Sequence, residues 1–381
     1  MNYDLLFAII FYGLIFLYYI KHKKKFTIEN KIFILYKTKL GLKLMDKISK
    51  YCPRLQRFFY SFGFVFGFIG MFFIFYMLFK GTLNLLFYNG QPALAPILPG
   101  VAVPGLPILS FWHWIVAILI LAVLHEFSHG LVARLYDIKV KSSGFAFLGP
   151  ILAAFVEPNE KELNKSKKHA QLSVYAAGPF INILTGVVFL LISNLLVFSG
   201  VQIIGVADGS PIDMTGIGIG EQILEINGNR VEYLSDFKNI LSDLTPNEEV
   251  TIKTTLDEYK ITAGSNPDSP EQGYLGVTVD MIYPADSGFI KSSLVWIRLL
   301  LYWLFIASVG VGLFNLLPLG PVDGGKMLYV GVLAITHKEN LSKRIWTIAS
   351  SLCLLLIIIN LLPWLYKLLI FLIKPLAILV P

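Results

Sequence analysis

The chain has 381 residues, 55% of them hydrophobic and 15% charged, with a mean hydropathy of +0.67. These values exclude a soluble globular protein and read as a polytopic membrane protein. The net charge of +7 does not point to nucleic acid, because the lysines flank apolar runs, where the positive-inside bias accounts for them.

In chain order, residues 5–20 are apolar and are followed at once by Lys21, Lys23, Lys24 and Lys25. A cleaved signal peptide carries its positive charges ahead of the apolar core, so this order predicts a first transmembrane helix with its N-terminus outside. Residues 21–57 hold twelve basic and two acidic side chains and read as a cytoplasmic loop. A second span is expected over 58–79. Residues 80–110 are apolar but broken by prolines at 92, 96, 99, 104 and 107. They read either as an external loop on the lipid surface or as a re-entrant segment beside a protein cavity.

A third span over 111–135 ends in His125-Glu126-Phe127-Ser128-His129. On a helix, residues four apart share a face, so both imidazoles suit one tetrahedral zinc ion, with Glu126 beside it to take a proton from water. Ionisable groups inside a membrane span are costly and are functional candidates by default. Residues 136–170 carry lysines at 139, 141, 161, 165, 167 and 168 and read as cytoplasmic; within them, 144–156 is a short apolar stretch suited to a strand or hairpin dipping into the bilayer. A fourth span over 173–198 contains Gly178, Pro179 and Asn182.

The stretch 201–290 carries 15 of the 25 acids but 4 of the 32 basic groups, a net of −11 against +18 elsewhere. Alternation predicts strands near 223–226, 250–253 and 274–280, an Asn227-Gly228 turn, and a helix over 234–241. Residues 201–285 therefore read as a small α+β domain on the side opposite the basic loops. A fifth span over 294–317 runs into Asn315-Leu316-Leu317-Pro318 and then Asp323-Gly324-Gly325. This places Asp323 on irregular backbone at the depth of the histidines. A short helix is expected over 327–335 and a sixth span over 345–362, with the tail after Pro363 lying along the interface. Cys52 and Cys353 suggest neither a disulfide nor a metal site.

Two histidines on zinc want a third protein ligand and an open position for water, and Asp323 is the acid at the right depth. Asn315 or Asn182 could donate to a developing oxyanion. The same residues also admit a structural or transport metal site, or histidines merely paired in a bundle.

Taken together, His125-Glu126-Phe127-Ser128-His129, Gly178-Pro179 with Asn182, and Asn315-Leu316-Leu317-Pro318 leading to Asp323-Gly324 resemble the site-2 protease family of intramembrane zinc metalloproteases. The resemblance implies peptide-bond hydrolysis within the membrane, one zinc per chain held by His125, His129 and Asp323, and Glu126 as base. It also implies transmembrane proteins as substrates. The insert resembles a PDZ domain through Gly209-Ser210-Pro211, Gly216-Ile217, Gly220-Glu221-Gln222-Ile223-Leu224 and Ile226-Asn227-Gly228. That family usually has Gly-Asp where this chain has Gly220-Glu221.

The fold expected is thus a polytopic α-helical membrane protein of about six transmembrane helices with an inserted extracytosolic α+β PDZ-like domain. Its divisions are 1–80, with two spans and the basic loop; 81–200, the first part of the metalloprotease core; 201–285, the PDZ-like domain; and 286–381, the second part of the core. The expected location is the cell membrane, with the active site toward the cytoplasm. The PDZ-like groove would take a peptide or C-terminus, or the domain would exclude bulky substrates by size. The competing function is a non-catalytic scaffold with a structural metal site.

Overall fold

Backbone polar groups in lipid must be satisfied within the segment, so long apolar runs fold as helices. The computed structural model has five described helices long and apolar enough to cross a membrane, and a shorter apolar stretch at Leu6–Lys21. It describes residues 3–29, 33–88, 90–101, 103, 106–148, 151–196, 199–266, 269–282 and 288–377. Pro104, the expected end of the fourth span at Phe198, and Gly149-Pro150 inside 144–156 lie outside these. The chain divides into two compact units, Met1–Leu191 with Leu299–Pro381, and Ile192–Arg298.

The first unit begins with α1 (Tyr3–Lys21), β1 (Phe26–Glu29), β2 (Phe33–Thr38), α2 (Leu42–Ser49) and α3 (Pro53–Phe87). Next come α4 (Phe111–Leu135), β3 (Val140–Leu148), β4 (Ile151–Pro158), α5 (Glu160–Lys165) and α6 (Lys168–Leu195). The strands form one antiparallel sheet in the order β1-β2-β3-β4. The expected hairpin at 144–156 is therefore half of a larger sheet, completed by residues that read as a basic loop. Lys37 of β2, Lys141 and Ser142 of β3 all reach Glu157 of β4, at 3.4, 3.5 and 2.7 Å. Phe26 packs on Tyr36 and Phe147 on the same sheet. β4 ends the sheet on the side of α4.

α3 is longer than the expected 58–79 at both ends, because nothing in 80–87 breaks a helix. Beyond it, the described residues of the proline-rich segment form no helix or strand but are fastened to helices. Ala93 N–H donates to Asn360 Oδ1 at 2.8 Å, and Trp364 and Trp114 donate to the carbonyls of Leu94 and Ile97.

The second unit comprises β5 (Val201–Val206), β6 (Gln222–Ile226), β7 (Asn229–Arg230), α7 (Leu234–Ser242), β8 (Glu249–Thr254), β9 (Glu258–Thr262), β10 (Gly264–Asn266), β11 (Ser269–Tyr274) and β12 (Val277–Met281). Its main sheet has the order β12-β5-β6-β8-β9, with β7 on β6 and β10-β11 as a separate hairpin. Ile203, Ile212, Ile223, Ile226, Ile252 and Leu275 fill its core. Asn227 and Gly228 both have positive φ, 49° and 76°, as a two-residue hairpin turn requires. The strand expected over 274–280 is interrupted, because Gly276 turns at φ 80° and separates β11 from β12.

The C-terminal part contains α8 (Gly288–Asn315), α9 (Asp323–Thr336) and α10 (Glu339–Ala377). α10 runs through Pro363 as one helix, so the expected break after residue 362 is absent. Asp323 is likewise not on irregular backbone. It is the first residue of α9, behind the extended N-cap residue Val322.

Candidate active site

Ser110 accepts the N–H of His113 and caps α4, whose other end carries the histidines. Their four-residue spacing brings the two rings together with centroids 4.8 Å apart and Nε2 atoms 3.1 Å apart. Asp323 Oδ2 lies 3.1 Å from His125 Nε2 and 3.2 Å from His129 Nε2. All three groups are buried, at 8, 8 and 9% exposure.

Backbone packing makes this convergence possible. α8 ends at Asn315, and Leu316 and Leu317 are almost completely buried. A Cβ on Gly324 would overlap the carbonyl oxygens of both leucines, and one on Gly325 would overlap that of Leu319. Only glycines let the start of α9 close on the unwound segment and aim Asp323 inward. On the other side, a Cβ on Gly178 of α6 would strike the Nε2 atoms of His125 and His129. A motif that reads as a helix-packing glycine is thus a wall of the site itself.

His129 Nδ1 lies 2.6 Å from the Val174 carbonyl, which can only accept, so that ring nitrogen carries the proton. In the neutral ring its Nε2 presents a lone pair toward a carboxylate and a second imidazole. Three such groups this close repel one another unless a proton or a metal cation sits among them. The donor-to-donor distances of 3.1–3.2 Å resemble the edge of a tetrahedron around zinc, about 3.3 Å for ligand bonds of about 2.0 Å. Two imidazoles and one carboxylate are also a known donor set for catalytic zinc. Among the described residues, His125, His129 and Asp323 are the group whose ligand atoms could share one metal ion, all within 4.8 Å of one another. The residues fit the ion.

Glu126 lines the same cavity as these three groups. Its carboxylate accepts the Val156 N–H of β4 at 2.9 Å, which ties the outer edge of the sheet to the site. A cavity of about 600 Å³ opens over these groups, lined by His125, Glu126, His129, Asp323 and Asn315 as well as by Val156, Tyr175 and Lys326. Lys326 stands over the Tyr175 ring at 5.5 Å. The sequence reading missed both, though Lys326 follows Asp323 by one helical turn. It also missed Val156 and Val174, which act through backbone atoms and so leave no side-chain signal.

The two asparagines part company. Asn315 lines the cavity. Asn182 is completely buried, with its amide 3.1 Å from His125 Nδ1, and does not line the cavity. Of the two candidates for an oxyanion donor, Asn315 therefore faces the cavity and Asn182 lies behind the histidine.

The family model Peptidase family M50 matches residues 113–360. An uncharacterized protein of Methanocaldococcus jannaschii is 32% identical over 327 residues, covering 81% of this chain and 80% of that protein. A Clostridium perfringens protein whose name proposes a zinc metalloprotease is 22% identical over 288 residues, covering 61% of this chain and 86% of its own. The chain is also similar to the PDZ domain of an SdrC-like protein from Listeria monocytogenes, at 20% identity and a TM-score of 0.19, over 21% of this chain and 86% of that one.

Proposed function

Because the chain belongs to peptidase family M50, the site-2 proteases, we propose that it is an intramembrane zinc endopeptidase that cuts transmembrane segments of other proteins. The observation that carries this reading is the convergence of His125, His129 and Asp323 with Glu126 at the edge of one cavity. In it, His125, His129 and Asp323 hold the ion, which when bound lowers the pKa of water and polarises a carbonyl. Glu126 accepts the proton from the attacking water and returns it to the leaving amine. Asn315, from the cavity wall, donates its amide N–H to the oxygen of the scissile carbonyl as charge builds there.

A peptide bond inside a helix is shielded by its own backbone, so the substrate must unwind before attack. β4 offers a place for the unwound chain. Val156 directs its N–H away from β3, and in an antiparallel strand Ala154 and Leu152 present their polar groups on the same edge. A substrate strand added there lies beside Glu126.

The positive-inside bias supports six spans, α1 with the five long helices, in a cell-membrane protein with the site near the cytoplasmic face. The acidic second unit then lies outside. Its β12 is an end strand of the sheet, and among the described residues it pairs only with β5. An added peptide could pair there, but size exclusion of substrates still bearing a bulky outer domain is the simpler role.

The test is cleavage of a helical membrane substrate by the full chain in lipid. Glu126→Gln should retain zinc and lose at least about 10²-fold in rate, and should trap uncut substrate. Full cleavage by that variant would refute the assignment.

A further inference from the structure

Both histidines can offer Nε2 to a metal only if each Nδ1 carries the ring proton, and a protonated Nδ1 needs an acceptor. For His129 the Val174 carbonyl is that acceptor. For His125 the facing group is the Asn182 carboxamide, with Nδ2 at 3.1 Å and Oδ1 buried without a partner. Two N–H donors would then meet head on. The two ends of a carboxamide have nearly the same shape, and which is oxygen is decided by hydrogen bonding. With Nδ2 toward the ring the oxygen end has no partner, so the ring proton decides the matter: Oδ1 belongs against His125 Nδ1–H.

We infer that Asn182 is a positioning residue that fixes the tautomer and orientation of His125, as the Val174 carbonyl does for His129. The pairing is asymmetric in a useful way. One acceptor is backbone and cannot be removed by substitution, whereas the other is a side chain. It stands at a position with no freedom to drift, since Asn182 is completely buried and its Cβ faces Gly312 of α8. The sequence pattern Gly178-Pro179-Phe180-Ile181-Asn182 then has a physical reading. Gly178 lets α6 touch the imidazoles, and one helical turn later Asn182 holds one of them from behind.

This inference rests on the metal-site part of the function proposed above and not on the substrate. Its readout is zinc affinity of the purified full chain, measured by competition with a chelating dye, with the melting temperature of the metal-stripped protein recorded alongside. Asn182→Leu keeps the size and removes the acceptor, and should weaken zinc about 10–100-fold. Asn182→Asp keeps an acceptor and should bind zinc as tightly as the parent or more so. In a His125→Ala background, Asn182→Leu should cost little further affinity, because its effect passes through that ring. Asn182→Asp weakening zinc as much as Asn182→Leu, or Asn182→Leu costing the same with and without His125, would overturn the assignment. If Asn182→Leu fails to fold, the parent against Asn182→Asp still decides. Tight zinc binding without cleavage of any membrane peptide would sink the protease reading and leave this one standing.

Discussion

Each unit of the molecule buries a carboxylate, and the two are treated in opposite ways. Glu221 in the second unit, 6% exposed, accepts the Gly218 N–H and the Thr254 hydroxyl, both at 2.6 Å, and lies 3.4 Å from the Tyr259 hydroxyl. Every partner is a neutral donor, so the charge is satisfied by hydrogen bonds and holds a loop to a strand. Asp323 in the first unit meets two imidazole nitrogens, and in the neutral His129 ring the one facing it is a lone pair, because Nδ1 holds the proton. A buried carboxylate facing donors is structural, and one facing lone pairs is half of a cation site. Both are buried carboxylates; the partners' chemistry separates them.

The sharpest break of that comparison is removal of each acid. Asp323→Ala should abolish both zinc retention and cleavage, while Glu221→Ala should leave zinc stoichiometry at one per chain. Metal analysis of the two purified variants reads this directly. Loss of zinc in the Glu221 variant, or its retention in the Asp323 variant, would erase the distinction.

Next in size is Gly178→Ala. A methyl group there meets both Nε2 atoms, so the rings must turn or α6 must retreat. A shift of about 1 Å in a ligand costs about 10²-fold in rate. Zinc affinity and activity should fall together. Gly288, whose Cβ would meet nothing, is the control: Gly288→Ala should change neither.

How far the site was legible follows from which atoms do the work. His125, His129, Glu126 and Asp323 announce themselves by spacing and by being ionisable in an apolar context. Val156 and Val174 act through N–H and C=O, which every residue has. β1 and β2 were hidden for a different reason. Phe33-Ile34-Leu35-Tyr36 has strand-forming residues, but it is embedded in lysines, and its partner β3 lies about a hundred residues away. Long-range pairing is a tertiary fact that a local window does not contain. α10 was misread at Pro363 because proline is a probable helix boundary, not a certain one. The second unit was the easier half, since its alternation and its Asn227-Gly228 turn are local signals.

A smaller effect is expected from Glu221→Ala on the second unit itself. The variant strands the Gly218 N–H and the Thr254 hydroxyl, at a cost of about 1–3 kcal/mol. Thermal unfolding of the full chain, followed by protease sensitivity within 201–282, should shift downward. Glu221→Asp tests reach: aspartate is one methylene shorter, and it should recover part of the loss only if the 217–221 loop can follow it.

The smallest effect concerns Glu157, a third carboxylate, which is partly exposed and lies between the two cases. The Ser142 hydroxyl, and then the Lys37 and Lys141 charges, hold its carboxyl below the usual 4.5, with burial opposing. A carboxylate whose pKa is lower in the folded state adds stability above its unfolded value and loses it as pH falls through the folded value. The join of β2 and β3 to β4 should therefore be intact at neutral pH and loosen only below about pH 4.5. Hydrogen exchange across residues 33–38 at pH 7 and pH 4 measures it. Glu157→Gln keeps the Ser142 bond and removes the charge, so exchange in that variant should be the same at both pH values once corrected for the intrinsic rate. If the parent is equally flat, the lysines merely sit near Glu157. The sheet edge that reaches Glu126 would then be held by its backbone ladder alone.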